Sequence, residues 1–468
     1  MLDATKRGHL AWLASQVPPG VTQTSGCEEE SLYAVWRVVH SEPNYPKPGS
    51  MPYASAYFNW LFYSVYGAIA SPVVHRWGDA SLPVATRLLT VLGGLAGAIA
   101  LFIWTWKTQS GNTTLHRAAI GGFVATMVFS GPLMGWWLHT TRPDCWALAL
   151  ETCGTVWLLL NLRQRPWLAS LGATACFYLA WSFKVSFILG LTTTLLFLTA
   201  ERHWRQAVAI LVITLTAWAM TLWLGGDNYR HWVLEATGNN RFALDVGWGN
   251  LNDAVIKSLP LVILAVAAWI SPARSSLARD TKRLVALGLP ICVLLTFVGS
   301  SKIGAASYYY FSCAALLGIV GATFTWSPRS LGLIIPAGLG LILGIYVVIR
   351  PNQLATSDLQ ARWQVWQHAP EPRFSQDLRL NLPWLNEMTP PFVLAYNYAS
   401  QRQQGITFEK GGIGGLIQNG YFSALLLFAT SGDEYDGTPL IGYRRAHEVG
   451  GMTLFLRINE SEMELPQS

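Results

Sequence analysis

Between residues 82 and 349 the chain is a succession of apolar runs, each about 17–24 residues long and separated by short polar connections. A run of that length crosses the hydrocarbon core of a bilayer, so the chain is read as an all-α polytopic membrane protein. Ten spans are predicted, over 82–106, 118–138, 144–161, 167–182, 184–200, 206–224, 258–271, 284–299, 305–326 and 330–349. The 22 Trp and 17 Tyr suit the interfacial belts of such a bundle.

Loop charge divides the connections into two sets. One carries Lys107 with Arg117, Arg163 with Arg165, Arg202 with Arg205, then Arg274, Arg279, Lys282 and Arg283, and finally Arg329. The loops between them carry Arg142, Lys184 and Lys302 singly. The positive-inside rule places the first set in the cytoplasm and the second outside. The net charge of +6 therefore needs no nucleic-acid partner. The cysteines Cys27, Cys145, Cys153, Cys176, Cys292 and Cys313 show no metal-type spacing, and five lie in or beside apolar runs. They are read as small apolar residues.

Three regions follow: an outer-face segment over 1–81, the helical bundle over 82–350, and an extracytoplasmic domain over 351–468. Residues 1–25 contain no continuous apolar h-region, so no signal peptide is read there. An outer N-terminal segment implies a further helix upstream of residue 1. Ser31 to Val39 is expected to form a short surface helix, and Tyr53 to Ala70, rich in tyrosine, a second interfacial one. The C-terminal region is expected to be a small α/β domain. Its strands are predicted at 391–396 and 423–430, a short helix at 412–419, and a terminal hairpin over 444–458 around Gly450-Gly451.

Charged groups are sparse, at 12% of residues, which makes Glu28-Glu29-Glu30 conspicuous. Adjacent carboxylates raise one another's proton affinity, a property suited to a general base or a divalent-metal ligand; a solvated acidic loop is the plainer alternative. Arg142-Pro143-Asp144 sits between two spans. There Asp144 either complements the positive end of a helix or orients Arg142. Lys184 lies between apolar stretches, where a charge is costly and a functional role is the first hypothesis. Lys302 stands beside small residues and the cluster Tyr308-Tyr309-Tyr310. Carboxylates and cations gathered at one face suit an enzyme acting on an anionic lipid head.

The order of these features resembles the GT-C membrane glycosyltransferases, in the branch of the protein O-mannosyltransferases and lipid A aminoarabinose transferases (glycosyltransferase family 39-like). The residues that carry the resemblance are the acidic pair before a Tyr-bearing amphipathic segment, Tyr45-Pro46-Lys47-Pro48, and an aromatic helix ending in Tyr66-Gly67. Arg87-Leu88-Leu89, Arg142-Pro143-Asp144, Phe183-Lys184 and the stretch from Lys302-Ile303-Gly304 to Tyr310-Phe311 complete the series. The resemblance implies a GT-C-like bundle of about 10–11 membrane helices plus interfacial ones, with its site at the outer face. It implies a polyprenyl-phosphate sugar donor, inversion at the anomeric carbon, and a lipid, glycan or protein acceptor. Glu28 and Glu29 match the family's acidic position, usually Asp, with Glu30 the alternative register.

The resulting expectation is a glycosyltransferase of the bacterial inner membrane. Glu28, Glu29 or Glu30 would be the catalytic base, or Glu28 and Glu29 would anchor a divalent metal, Mg or Mn. Arg142, Asp144, Lys184, Lys302, Tyr308, Tyr309 and Tyr310 would bind the donor. Two other readings of the same charges are a transporter or flippase of lipid-linked or anionic solutes, and a catalytically degenerate relative.

Overall fold

The computed structural model describes residues 5, 7–8, 28–109, 113–238, 240–325 and 356–458. The predicted span over 330–349 lies outside them.

The acidic triplet opens helix α1 (Glu28–Val39), with all three carboxylates in its first turn, where the helix dipole favours negative charge. Helix α2 (Trp60–Trp77) starts at Asn59, whose side chain accepts from the Trp60 N–H at 2.8 Å. Asn59 also donates to the Trp181 carbonyl and accepts from the Tyr229 hydroxyl, which fixes the start of α2 to the bundle. The two helices approach closely because Gly67 has no Cβ, which would collide with Val38. The predicted interfacial helix thus begins later, at Trp60; α1 is largely buried against neighbouring elements, whereas α2 buries one face.

The bundle comprises α3 (Leu82–Thr108), α4 (Thr114–Phe129), α5 (Asp144–Asn161), α6 (Pro166–Phe183), α7 (Leu189–Ala200), α8 (Trp204–Arg230), α9 (Leu244–Ile270), α10 (Ser276–Ser300) and α11 (Phe311–Gly321). Four of the described helical stretches are long and apolar enough to cross a membrane: Asp79–Thr108, Trp204–Glu235, Leu244–Ile270 and Ser276–Ser300. Their outward faces carry exposed Leu92, Leu95, Val212, Trp223 and Leu294, an apolar surface suited to lipid. On α3, side chains at Gly93, Gly94 and Gly97 would collide with Trp146, Leu138 and Phe129. A strip of small residues thus lets α4, α5 and the intervening turn pack directly on α3, as small residues do between membrane helices.

Several predicted spans differ in their limits: the one over 284–299 begins earlier, at Ser276, and the one over 305–326 is helical over Ser307–Gly321. The one over 118–138 ends at Phe129, and a 3-10 turn (Gly135–His139) follows. The one over 184–200 begins at Leu189, after a non-helical break. The one over 258–271 begins at Leu244, because an amphipathic turn bearing Asn250, Asp253 and Lys257 continues the same helix.

The described members of the two charge sets occupy opposite ends of this bundle. At one end Arg163 grips Asp280 with two bonds of 2.8 and 2.9 Å, and Arg283 meets Glu201 at 2.7 Å. The start of α5, the end of α6 and the end of α10 form the other end, with Asp144, Lys184 and Lys302.

The C-terminal domain is a four-stranded sheet with helices packed around it, beside a two-stranded ribbon of β3 (Glu434–Tyr435) and β4 (Thr438–Pro439). Strand β1 (Arg373–Ser375) pairs in parallel with β2 (Ala424–Phe428); β6 (Met452–Arg457) runs antiparallel to β2 and forms a hairpin with β5 (Tyr443–Val449). The predicted hairpin, the strand near 423–430 and the short helix (Gly412–Gln418) are present. No strand forms at 391–396. Phe392 stacks on Tyr33 while Val393 enters the domain core, and Ala395 opens helix α13 (Ala395–Gln403; α12 is Thr356–Trp366). The segment after α1 is stitched to this domain: Tyr53 donates to the Glu409 carbonyl at 2.7 Å, and the Glu409 N–H donates to Gly49 at 2.9 Å. Gly49 has φ +76° and faces the Thr407 backbone, a position no other residue fits.

Candidate active site

A cavity of about 190 Å³ opens where the C-terminal domain meets the bundle. Its wall is drawn from Tyr57 and Phe58, Arg142, the break at Lys184-Val185-Ser186, the loop from Lys302 to Tyr309, and α13 with Tyr396, Asn397 and Gln401. Three cations, Arg142, Lys184 and Lys302, belong to that wall, and among the described lining residues there is no Asp or Glu.

Each cation is placed by a local departure from helix. Lys184 follows the last residue of α6 with extended dihedrals (φ −156°, ψ 121°). Its ammonium donates to Asp144 Oδ1 at 2.6 Å and lies 4.2 Å from the centre of the Tyr308 ring. Arg142 precedes α5; its carbonyl accepts from the Tyr66 hydroxyl at 3.1 Å. Its guanidinium stands 4.1 Å above Trp137, with Nε 3.5 Å from Asp144 Oδ2. Asp144 therefore sits behind the wall, serving both cations. Lys302 donates to the Gly238 carbonyl at 3.0 Å at the more open side.

The three carboxylates of α1 have three different environments. Glu28 is fully buried: Arg87 Nε and Nη2 reach its two oxygens at 2.9 and 3.0 Å, and the Thr141 N–H donates to Oε1 at 2.8 Å. It thereby anchors the backbone next to Arg142. Glu29 lies toward the C-terminal domain, in the field of Arg379 and Asp377. Burial, reinforced by the neighbouring Glu28, pushes its carboxyl up to about 7, with Arg379 working the other way. Burial also works to raise Asp377, but hydrogen bonds and charge from Arg379 and Arg362 outweigh it and hold that carboxyl below its usual range. Glu30 accepts from Asn397 Nδ2 at 2.9 and 3.1 Å, and Asn397 lines the cavity.

Of the residues singled out in the sequence, the cavity brings together Arg142, Lys184, Lys302, Tyr308 and Tyr309, with Asp144 behind them and Glu30 behind Asn397. Tyr310 is directed elsewhere: it is 4% exposed, and its hydroxyl meets Ser300 Oγ at 3.3 Å, because one more residue of the turn rotates it into the bundle. The expected metal site at Glu28 and Glu29 does not fit these surroundings. Both Glu28 oxygens accept from Arg87, and among the described residues no three His, Cys, Asp or Glu side chains converge as a donor set.

Nothing in the sequence marks Asn397 and Gln401, because the segment before them reads as a strand. Trp137 was hidden in an apolar run that the structure divides into a helix and a 3-10 turn.

No family model and no curated protein matches the sequence. Solved structures do match in fold. The crystal structure of ArnT from Cupriavidus metallidurans in the apo state has a TM-score of 0.58 at 13% identity, covering 97% of this chain and 96% of that one. The structure of the same protein bound to undecaprenyl phosphate gives 0.58 at 13% identity, with 98% of each chain covered. The fold expected from the sequence, a helical membrane bundle with a small C-terminal α/β domain, is thus the fold observed, and these structures share it over 97–98% of this chain.

Proposed function

We propose that this chain is a membrane glycosyltransferase that takes a sugar from a polyprenyl phosphate and passes it, with inversion, to a hydroxyl-bearing acceptor outside the cytoplasmic membrane. The observation that carries this reading is the cavity wall of three cations and several aromatic rings, with no described carboxylate exposed in it. Such a wall suits a phosphate next to an apolar chain. Support from the fold comes from ArnT, whose structure with undecaprenyl phosphate shares this architecture.

In the proposed reaction the acceptor oxygen attacks the anomeric carbon on the face opposite the phosphate. The bond between that carbon and the phosphate oxygen breaks, and its electron pair leaves on the polyprenyl phosphate. The phosphate gains one negative charge as it departs. Arg142, Lys184 and Lys302 offset that charge, more strongly at the leaving stage than before it. Arg142 is held for this by Trp137, Tyr66 and Asp144, and Lys184 by Asp144. Glu30, which lies behind Asn397, takes the acceptor's proton through one intervening water, with Asn397 orienting the carboxylate. Glu28 serves this site from behind, fixing the Thr141-Arg142 backbone.

Binding of undecaprenyl phosphate and of uncharged undecaprenol to the protein in lipid nanodiscs tests the reading. The phosphate should bind at least about tenfold more tightly, and Lys184→Ala or Arg142→Ala should erase most of that preference. Equal binding of both lipids by the unmodified protein would contradict it.

A further inference from the structure

Glu151 lies on α5, within the bundle and away from the cavity wall, and is 3% exposed. A carboxylate at that depth is costly unless it has a defined task. It stands seven residues after Asp144 on the same helix, hence on the same face and about 10 Å further along the axis. The two carboxylates bracket the break between α6 and α7. Asp144 receives the side chain of Lys184 where the break begins. Glu151 Oε1 receives the Gly190 N–H, at 2.6 Å, where α7 resumes.

That second contact solves a specific problem. The first turn of a helix leaves backbone N–H groups without intrahelical partners, and burying them unpaired costs free energy. Here the turn is buried, and its N-cap residue, Ile188, supplies no side-chain acceptor. A carboxylate from a neighbouring helix does the capping instead. Gly190 permits it, since a Cβ at that position would collide with Glu151 Cγ. The other carboxylate oxygen accepts from the Ser312 hydroxyl, on α11, just after the turn that presents Tyr308 and Tyr309. One side chain thereby ties together three elements that supply the cavity wall.

We propose that Glu151 is a positioning residue: it fixes the helix break that displays Lys184, and through Ser312 the adjoining Tyr308 turn, in register with Asp144. This inference rests on the reading of the cavity as a donor-phosphate site.

The test is a double-mutant cycle on the full chain in nanodiscs, read as affinity for undecaprenyl phosphate and for undecaprenol. Glu151→Ala should weaken the phosphate roughly tenfold and leave undecaprenol nearly unchanged. Glu151→Ala added to Lys184→Ala should cause little further loss, because the lysine is the group being positioned. Glu151→Gln, whose amide oxygen can still accept from Gly190, should restore affinity to within about twofold of the unmodified protein. If Glu151→Ala does not fold, Gly190→Ala, which displaces the carboxylate, replaces it in the cycle. Equal weakening of both lipids, or a loss that adds in full to that of Lys184→Ala, would show a purely structural role and overturn the inference. A Lys184→Ala protein that binds the phosphate normally would instead sink the donor-site reading, and this inference with it.

Discussion

Lys184 donates across 2.6 Å to Asp144, which sits behind the cavity wall, and Arg142 approaches the second oxygen of the same carboxylate. Two buried cations thus share one acid. Replacing the acid should expose this balance. Asp144→Asn leaves more positive charge buried, and breaking a buried pair of this kind costs about 3–5 kcal/mol. Its apparent Tm should fall, and undecaprenyl phosphate should raise it by more than it raises that of the unmodified protein, since the lipid's phosphate supplies the missing charge. Equal shifts in both proteins would separate Asp144 from the phosphate site.

The Glu28–Arg87 pair makes a different demand. Arg87→Ala strands a carboxylate that is fully buried, so it should lower apparent stability by about 3–5 kcal/mol. The double variant Arg87→Ala with Glu28→Gln should recover part of that loss, because a neutral amide is cheaper to bury and can still accept from Thr141. Thermal unfolding of the three proteins in the same lipid checks this. A double variant less stable than Arg87→Ala alone would contradict the anchoring role.

Glu29 gives a pH dependence whose sign follows from linkage. Its folded carboxyl titrates near 7, above the range of an unfolded glutamate. The folded protein therefore holds a proton that the unfolded chain has released. The associated stability is fully present below about pH 4, and is lost as pH rises toward and through 7, to a total of about 3–4 kcal/mol. Comparing apparent Tm from pH 5 to pH 8 isolates this contribution: Glu29→Gln should show a flatter profile than the unmodified protein. Parallel profiles would mean that Glu29 titrates normally.

Much of this architecture is legible in the sequence, and the exceptions have physical causes. Helix α5 spans the predicted 144–161, because Pro143 and Asp144 mark its start and an unbroken apolar run follows. Arg142, Lys184 and Lys302 were recognisable because isolated charges between apolar runs are expensive and must be accommodated. Their convergence depends on the break over 184–188, and hydropathy reads that segment as continuous helix because Val185, Phe187 and Ile188 are apolar. Glu151 carried the same signal as Lys184, a lone charge within an apolar run, yet its partners are a backbone N–H and a serine that no spacing rule connects to it. Asn397 was the least visible. Its importance comes from Glu30, 367 positions earlier in the chain, and long-range pairing of two polar residues leaves no periodic trace.

The central claim is that the cavity transfers a sugar from a polyprenyl phosphate, with Glu30 as the base. The most direct measurement supplies purified protein in lipid with a panel of polyprenyl-phosphate sugars and hydroxyl acceptors, and follows release of polyprenyl phosphate. The expected result is release from one donor at a rate that falls about 10²–10⁴-fold in Glu30→Gln, with the donor KM little changed. Undiminished release by Glu30→Gln would remove the proposed base, and tight binding of every donor with no release from any would contradict the transferase itself.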